Sequence, residues 1–280
     1  MKQPAIQKVV TFLILTLLFS LVFYRLIGRV GILHANFLVL GLMWCPGTAA
    51  IVTRLVYQRN LRGMGWGWGK TRYQLWSYAI PVLYALAVYL VIWLGGFGGF
   101  PNSEFVHRVA SQFRLVNASP AVVIAVYVGV AGTLGVVVHC IFALGEELGW
   151  RGLLVPELAK VTSFTTTALV SGIIWSLWHY PIIFWGGYNG GTSTWYSTLC
   201  FTLMVFGVAS IFAWMRLKSG SVWTGMLLHA SHNVFIQAIF DPLTHDTAVT
   251  KYVRGEFGVG LALACLLVGY FFWRKRAQLA

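Results

Sequence analysis

The sequence has few charged residues, and acidic residues are the rarest of them. Only 10% of the 280 residues are charged, with 7 acidic residues against 20 Lys and Arg, whereas 58% are hydrophobic. Soluble domains contain about 25% charged residues, so this composition excludes an ordinary soluble protein. The formal net charge of +13 would suit nucleic-acid binding, but the basic residues lie at the ends of apolar runs, where membrane proteins place them. We therefore predict a polytopic membrane protein without a nucleic-acid partner.

Paired cysteines and several protease signatures are also missing. The 4 cysteines are scattered through apolar runs without C-x-x-C spacing, which predicts buried thiols acting as small hydrophobic residues. Neither a G-x-S-x-G elbow nor H-E-x-x-H is present, which argues against a serine hydrolase of that type and an ordinary zincin. The only aspartates, Asp241 and Asp246, lie near or beyond the end of an apolar run, which argues against an aspartyl dyad.

Eight apolar runs are long enough to cross a bilayer, which takes about 17–25 residues of helix. They cover residues 9–27, 33–56, 75–94, 121–144, 165–185, 195–215, 222–240 and 257–273. The first run lacks a small-residue cleavage site, so we interpret it as a retained span rather than a signal peptide. We predict an all-α integral membrane protein that forms one membrane domain over residues 1–280.

Basic residues are unevenly distributed between the two sides of these predicted spans. If the N-terminus is cytoplasmic, 14 Lys and Arg fall on the cytoplasmic side and 6 on the outer side. Cytoplasmic loops carry an excess of positive charge. We therefore predict a multi-pass protein of the cell membrane with both termini in the cytoplasm, and this arrangement also places Glu256 outside.

An acidic pair lies in one of the most apolar stretches of the chain. Glu146 and Glu147 directly follow the apolar residues 135–145, and a carboxylate at membrane depth is costly unless it is paired or lines a wet cavity. Glu147 and Arg151 are four residues apart, so they share a helix face and are predicted to form an ion pair. Glu146 projects about 100° around the helix from Glu147. It therefore has no part in this ion pair and is the candidate for catalysis. The alternative is a solvated helix end, which the apolar residues after Arg151 disfavour.

Two further polar motifs lie on later predicted helices. Trp175 and His179 are four residues apart, and so are His229 and Asn233, so each pair shares a helix face. The alternative is a polar seam that joins helices through hydrogen bonds of about 1 kcal/mol each. Because the motifs occur together, we predict that they converge with Glu146 on a shared cavity.

A carboxylate, two histidines and an amide suit the hydrolysis of an amide bond by an activated water. Glu146 would act as general base, and His179 would hold the same water. His229 and Asn233 would donate hydrogen bonds to the oxyanion, each worth about 3–4 kcal/mol. A zinc site is the alternative, with Glu146, His179 and His229 as ligands. We favour the version without a metal or other cofactor because Asn233 is a poor zinc ligand, but the sequence does not separate the two.

In this order, the motifs resemble those of the CPBP family, which comprises CAAX prenyl proteases and bacteriocin-processing enzymes and is also called the Abi family of intramembrane proteases. Its pattern is E-E-x-x-x-R, then F-x-x-x-H, then H-x-x-x-N. Residues 146–151, 175–179 and 229–233 match this pattern, with Trp175 in place of the usual Phe. The resemblance covers residues 135–240, which would form the catalytic core, and is to type II CAAX prenyl endopeptidases in particular.

The resemblance implies eight membrane helices around a conical cavity that opens to the cytoplasm, and proteolysis within the membrane. Many members are described as metalloproteases, although the metal is contested within the family. The substrate would be a prenylated C-terminal CAAX-type tail or a bacteriocin-like peptide. The implied site consists of the catalytic residues Glu146, His179, His229 and Asn233 and the supporting residues Glu147, Arg151 and Trp175.

Two other functions compete with the protease. One is a non-enzymatic immunity or scaffold protein of the membrane, in which the polar residues serve helix packing. The other is a proton- or ion-coupled transporter that uses Glu146 and His139, although broken helices at symmetric positions are missing. We predict a peptidase whose partners are the lipid bilayer and a peptide or lipidated-protein substrate.

Overall fold

The computed structural model describes residues 2–279, and α-helices form nearly all of its regular structure. No β-strand occurs in this part of the chain; an isolated bridge joins Gly99 and His245. The all-α prediction is therefore confirmed. The helices, in chain order, are α1 (Lys2–Val30), α2 (Asn36–Gln58), α3 (Thr71–Leu94), α4 (Ser103–Gln112), α5 (Pro120–Ala159), α6 (Phe164–Trp185), α7 (Thr194–Ser219), α8 (residues 222–243), α9 (Thr250–Val253) and α10 (Val259–Arg274).

Six helices, α1 to α3 and α5 to α7, are long and apolar enough to cross a membrane by length and composition. The prediction of a membrane protein is confirmed. Helices α8 and α10 correspond to the seventh and eighth predicted runs, but α10 has only 16 residues. The predicted number of eight spans therefore stays a prediction. The four cysteines are free thiols, of which Cys140 is half-buried and the others are buried.

Helix α5 is much longer than the apolar run from which it was predicted. It continues for 40 residues, roughly 60 Å at 1.5 Å per residue. Pro156 does not end it, because this residue lies in the first turn of the α-helical segment Val155–Ala159, which directly follows the π-helical segment Trp150–Leu154. The acidic pair is consequently held inside a continuous helix and does not lie at a frayed end.

The main helices alternate in direction, which defines two ends of the bundle. The terminal end holds both chain termini and the connections 59–70, 160–163 and 220–221. The distal end holds the connections 31–35, 95–119, 186–193 and 244–258. Hydrogen bonds join connections within each end: Val222 N–H donates to Gly65 O at 2.8 Å at the terminal end, and Ile32 N–H donates to Gly186 O at 2.9 Å at the distal end.

Glycines let the helices that carry the site approach closely. A Cβ atom on Gly47 of α2 would lie 2.5 Å from the carbonyl oxygen of Gly145 in α5, and one on Gly207 of α7 would lie 2.2 Å from the backbone of Cys265 in α10. Close packing of small residues is a main source of helix association in membranes. Because Gly145 precedes Glu146, the contact with α2 fixes where α5 presents this acid.

A buried ion network joins three helices at the terminal end. The carboxylate of Glu157 in α5 accepts a hydrogen bond from Lys160 at 2.7 Å and lies 3.3 Å from Arg54 of α2 and 3.9 Å from Lys8 of α1. Glu157 is 1% exposed, and a buried carboxylate needs such partners to stay charged. The network holds α1, α2 and α5 together on the terminal side of the acidic pair.

Candidate active site

A cavity of about 540 Å³ lies among α2, α5, α6, α7 and α8. Most of its wall is apolar and comes from residues such as Leu42, Phe142, Phe201, Met204 and Val208. The structure brings the residues predicted to be catalytic into this one cavity, although they come from three helices. The lining residues from the three motifs are Glu146, Trp175, His179, His229 and Asn233.

Glu146 is held by two tryptophans. Its Oε2 atom accepts a hydrogen bond from Trp175 Nε1 at 2.8 Å and another from Trp150 Nε1 at 3.2 Å. No group among residues 2–279 donates to Oε1, and this oxygen is not among the fully buried atoms without a partner. Oε1 therefore faces the cavity. The two donors occupy one oxygen of the carboxyl group and leave the other oxygen free to take a proton.

Glu147 lies behind the cavity wall and is completely buried. Its Oε1 atom accepts hydrogen bonds from Arg151 Nη1 at 2.9 Å and from His229 Nδ1 at 3.0 Å. The guanidinium of Arg151 also lies over the rings of Trp175, at 4.2 Å, and Phe212, at 3.9 Å. The ion pair expected from the i,i+4 spacing is present, and it also positions a histidine of the third motif.

His179 is oriented by its own helix. Its Nδ1–H donates to the carbonyl oxygen of Trp175 at 2.9 Å, so the lone pair of the neutral imidazole is on Nε2. The ring packs against Trp178 and Phe201, with ring centroids 4.8 Å away in both cases. A histidine fixed in this tautomer presents an acceptor for the proton of a water molecule.

His229 and Asn233 differ in what they can donate. Because Nδ1 of His229 donates to Glu147, its Nε2 can donate a second hydrogen bond only when the imidazole carries both protons, a form that a neighbouring carboxylate stabilises. The amide of Asn233 is half-buried and lines the cavity. It needs no change of protonation to donate, so it is the simpler of the two candidate oxyanion donors.

One π-helical segment overlaps the end of the first motif, and another follows the third motif. One, Trp150–Leu154, begins four residues after Glu146, and another, Val234–Phe240, begins directly after Asn233. Such segments in α-helices occur frequently at functional sites. The first places Trp150 beside Glu146, an indole contact that the sequence analysis did not anticipate although the two residues are four apart.

A second polar cluster lines the same cavity near the distal end. His232 Nε2 lies 3.1 Å from Glu256 Oε1, and its Nδ1 lies 2.5 Å from the hydroxyl of Tyr84. The Tyr188 hydroxyl donates to the other oxygen of Glu256. Glu256 was predicted to lie on the outer side of the membrane, and the structure shows that it is only 7% exposed. A single acid in a connecting segment gives no sequence pattern from which this burial could be predicted.

The side chains that line the cavity are poorly arranged to bind a zinc ion. Within residues 2–279 no three His, Cys, Asp or Glu side chains are arranged to hold a metal ion. Glu146 shares one oxygen with two indoles, and His229 directs Nδ1 to Glu147. The zinc alternative with Glu146, His179 and His229 as ligands therefore has no support from this geometry, and metal dependence stays open to experiment.

Comparison with known proteins identifies the segment that carries the site. The family model for type II CAAX prenyl endopeptidase Rce1-like proteins matches residues 129–235. CAAX prenyl protease 2 of Methanococcus maripaludis is 32% identical over 132 residues. That alignment covers 45% of this chain and 45% of the relative, so the chain matches about half the length of this curated protein. Residues 129–235, which contain all three motifs, are therefore similar to the Rce1-like type II CAAX prenyl endopeptidases.

Proposed function

We propose that the protein is an intramembrane endopeptidase in which Glu146 activates a water molecule. The observation that carries this proposal is the environment of Glu146. Two indoles hold one of its oxygens, and the other oxygen faces a cavity that His179 and Asn233 also line. The match to CAAX prenyl endopeptidases over residues 129–235 supports it.

The proposed reaction needs only groups of this chain and one water. The water binds between Glu146 Oε1 and His179 Nε2, and Glu146 takes its proton as the oxygen attacks the carbonyl carbon of the substrate. The oxyanion that forms accepts a hydrogen bond from the Asn233 amide and from His229 when that ring is doubly protonated. The proton then passes from Glu146 to the leaving nitrogen, and the C–N bond breaks to give an acid and an amine.

The wall of the cavity favours an apolar substrate. Aromatic and aliphatic side chains of α6 and α7 line much of it, so apolar side chains or a lipid group near the scissile bond would bind there. Prenylated CAAX-type tails and bacteriocin-like peptides are the two substrate classes proposed. The first is supported by the similarity to CAAX prenyl protease 2 of Methanococcus maripaludis.

The direct test is cleavage of synthetic peptides by the purified protein in lipid nanodiscs. A peptide with a farnesylated cysteine near its C-terminus and the same peptide without the lipid would be incubated with and without a metal chelator, and the products identified by mass spectrometry. We expect cleavage that survives the chelator. Loss of cleavage that zinc restores would favour the zinc protease, and absence of any product from both peptides and from a bacteriocin-like peptide would favour the immunity or scaffold function.

Replacing Asn233 by Ala is expected to slow cleavage by about 10²–10³-fold in kcat, the usual effect of removing one oxyanion donor. KM should change little, since this hydrogen bond forms mainly in the transition state. Gln237→Ala is the matched control, because Gln237 is an amide one turn further along α8 and lines the same cavity near its distal end. Equal effects of the two variants would show that Asn233 is not an oxyanion donor.

Replacing Trp175 by Phe, the residue usual in the family, is expected to lower kcat by about tenfold to a hundredfold, because Glu146 is then positioned by Trp150 alone. The variant keeps an aromatic ring but loses one of the two donors to Glu146. Single-turnover cleavage of the same peptide in nanodiscs measures the loss.

Trp178→Phe is the matched control for this measurement. Trp178 lines the same cavity, but its Nε1 donates to Ser20 at 2.9 Å and not to Glu146. Its kcat should stay near the wild-type value. If both variants lower kcat equally, the indole of Trp175 has no specific effect on Glu146.

A further inference from the structure

Four histidines of the described chain line the cavity, and His139 differs from the others because its side chain has no partner. The other three, His179, His229 and His232, each bond a neighbouring group through one or both ring nitrogens. His139 also takes no part in the proposed reaction. A buried polar atom without a hydrogen bond is uncommon in folded proteins, and an ionisable residue at membrane depth is a candidate for function.

The ring of His139 presents a hydrogen-bond donor to the cavity. Its Nδ1 atom is fully buried and has no partner among residues 2–279. Because a buried N–H without an acceptor is rarer than a buried acceptor without a donor, Nδ1 is the unprotonated nitrogen of the neutral ring. The proton is then on Nε2, which is not among the fully buried atoms without a partner. Since the ring lines the cavity, Nε2–H is the group that a ligand there would meet.

His139 and Glu146 lie on the same face of α5. They are seven residues apart within the regular α-helical stretch Val136–Gly149. Their side chains therefore differ in direction by about 20°, and their Cα atoms are separated by roughly 10 Å along the helix axis. An extended peptide covers about 3.3–3.6 Å per residue. A substrate that runs along α5 from Glu146 thus reaches His139 after about three residues.

The other charged groups of the cavity leave His139 as its free site for an anion. No Lys or Arg among the described residues lines the cavity. Its two acids are Glu146 and Glu256, and Glu256 is already paired with His232 at 3.1 Å. A carboxylate that enters the cavity away from the reacting bond would therefore find an unoccupied imidazole only at His139.

Helix α2 begins at nearly the same height in the bundle as His139. A Cβ atom on Gly145 of α5 would lie 2.8 Å from the Cα atom of Trp44 in α2, so these two residues are level. Both helices run from the distal to the terminal end, which places Asn36, the first residue of α2, level with residue 137 of α5. Asn36 lines the cavity, and no side chain caps this helix end. The N–H groups of a first helical turn favour a nearby negative charge.

Building on the proposed function, we infer that His139 is a specificity residue that binds the free C-terminal carboxylate of the substrate, about three residues beyond the scissile bond. Nε2–H of His139 donates to one carboxylate oxygen, and the N-terminus of α2 adds a favourable potential. In a CAAX-type tail three residues follow the prenylated cysteine, so cleavage directly after that cysteine would place the chain end at His139. The site therefore selects a chain end over an internal peptide segment.

Cleavage of paired peptides tests this role of His139. A farnesylated peptide with a free C-terminal carboxylate and the same peptide with a C-terminal amide would be compared in nanodiscs. We expect amidation to lower kcat/KM of the wild type by about tenfold to a hundredfold, the usual effect of losing one hydrogen bond to a charged group. His139→Phe keeps an aromatic ring beside Phe142 but has no donor, so it should cleave both peptides at about the same rate. Each ratio is taken within one enzyme, so a general loss of activity cancels.

Two further variants control the measurement. His139→Gln keeps a side-chain N–H and should keep part of the preference for the free acid. His107→Phe is the matched control, because His107 is an exposed histidine of α4 that does not line the cavity, and it should keep the wild-type ratio. Full preference for the acid in His139→Phe, or equal cleavage of acid and amide by the wild type, would overturn the inference and leave the protease activity standing.

The source of the carboxylate and its distance from the scissile bond need separate peptides. An amidated peptide with Glu at its last position carries a carboxylate on a side chain, and a free-acid peptide lengthened by two residues moves the chain end away from His139. We expect the wild type to cleave both more slowly than the free-acid peptide with three residues after the cysteine. Equal cleavage of either one would contradict recognition of the chain end.

Binding to Glu146→Gln separates this inference from the proposed function. The affinity of fluorescent free-acid and amide peptides for this variant in nanodiscs would be measured by anisotropy. We expect the acid to bind about tenfold to a hundredfold more tightly, and the difference to vanish when His139→Phe is added. If the wild type cleaves no peptide but this binding pattern is found, the protease proposal fails and the carboxylate site stands. Equal binding of acid and amide would refute the site itself.

Discussion

Replacing Glu146 by Gln should abolish detectable peptide cleavage and leave the fold intact. The amide cannot accept a proton from water, and loss of a positioned general base typically costs about 10²–10⁴ in rate. The change is nearly isosteric, and one side-chain oxygen remains to accept the hydrogen bonds of Trp150 and Trp175. Single-turnover cleavage in nanodiscs measures the loss, and thermal unfolding in detergent measures stability.

Stability distinguishes a catalytic role of Glu146 from a role in packing. If Glu146→Gln cleaves at the wild-type rate, Glu146 is not the base. If the variant instead unfolds at a much lower temperature and loses a binding partner, and no peptidase product is found with the wild type either, the acid serves helix packing in a non-enzymatic protein. Normal stability with no cleavage is the outcome that the proposed mechanism requires.

Replacing Arg151 by Met should cause a large loss of stability, in contrast to Glu146→Gln, which should unfold at nearly the wild-type temperature. The variant leaves the carboxylate of Glu147, which is 0% exposed, with His229 as its remaining partner. Removing one partner of a buried ion pair destabilises proteins by about 3–5 kcal/mol. Methionine keeps an apolar side chain against Trp175 and Phe212, so the measured change in the free energy of unfolding should report mainly the unpaired charge.

A second substitution checks that the lost charge pairing is the cause. In the double variant Glu147→Gln/Arg151→Met the buried charge is removed together with its partner, and we expect at least half of the lost stability to return. No recovery would mean that the packing of Arg151 over the two rings, at 4.2 Å and 3.9 Å, provides the stability. Wild-type stability of Arg151→Met, together with lost cleavage, would give Arg151 a direct role in the reaction.

Spacing within single helices predicted part of this site. The pairs Glu147–Arg151 and His229–Asn233 are each four apart, and a helix necessarily places such residues on one face. The same reasoning applied to Glu146 and Trp150 would have predicted their contact, but no role was predicted for Trp150. The hydrogen bond from Trp150 to Glu146 could thus have been predicted from the sequence.

Contacts between helices could not be predicted in the same way. Trp175 donates to a carboxylate 29 residues earlier in the chain, and His229 to one 82 residues earlier. These distances depend on how closely α5, α6 and α8 pack, which in turn depends on glycine contacts such as Gly145 against Gly47. Periodicity within one helix carries no information about that approach.

The sequence by itself determined the all-α membrane character, the family resemblance and the residues of the three motifs, because hydrophobic length and helical spacing are local properties of the chain. Only the tertiary structure decided which oxygen of Glu146 is free, that Glu147 is shared by Arg151 and His229, and that Glu256 is buried. It also decided that the three motifs line one cavity, since a cavity exists only where packed helices leave space between them.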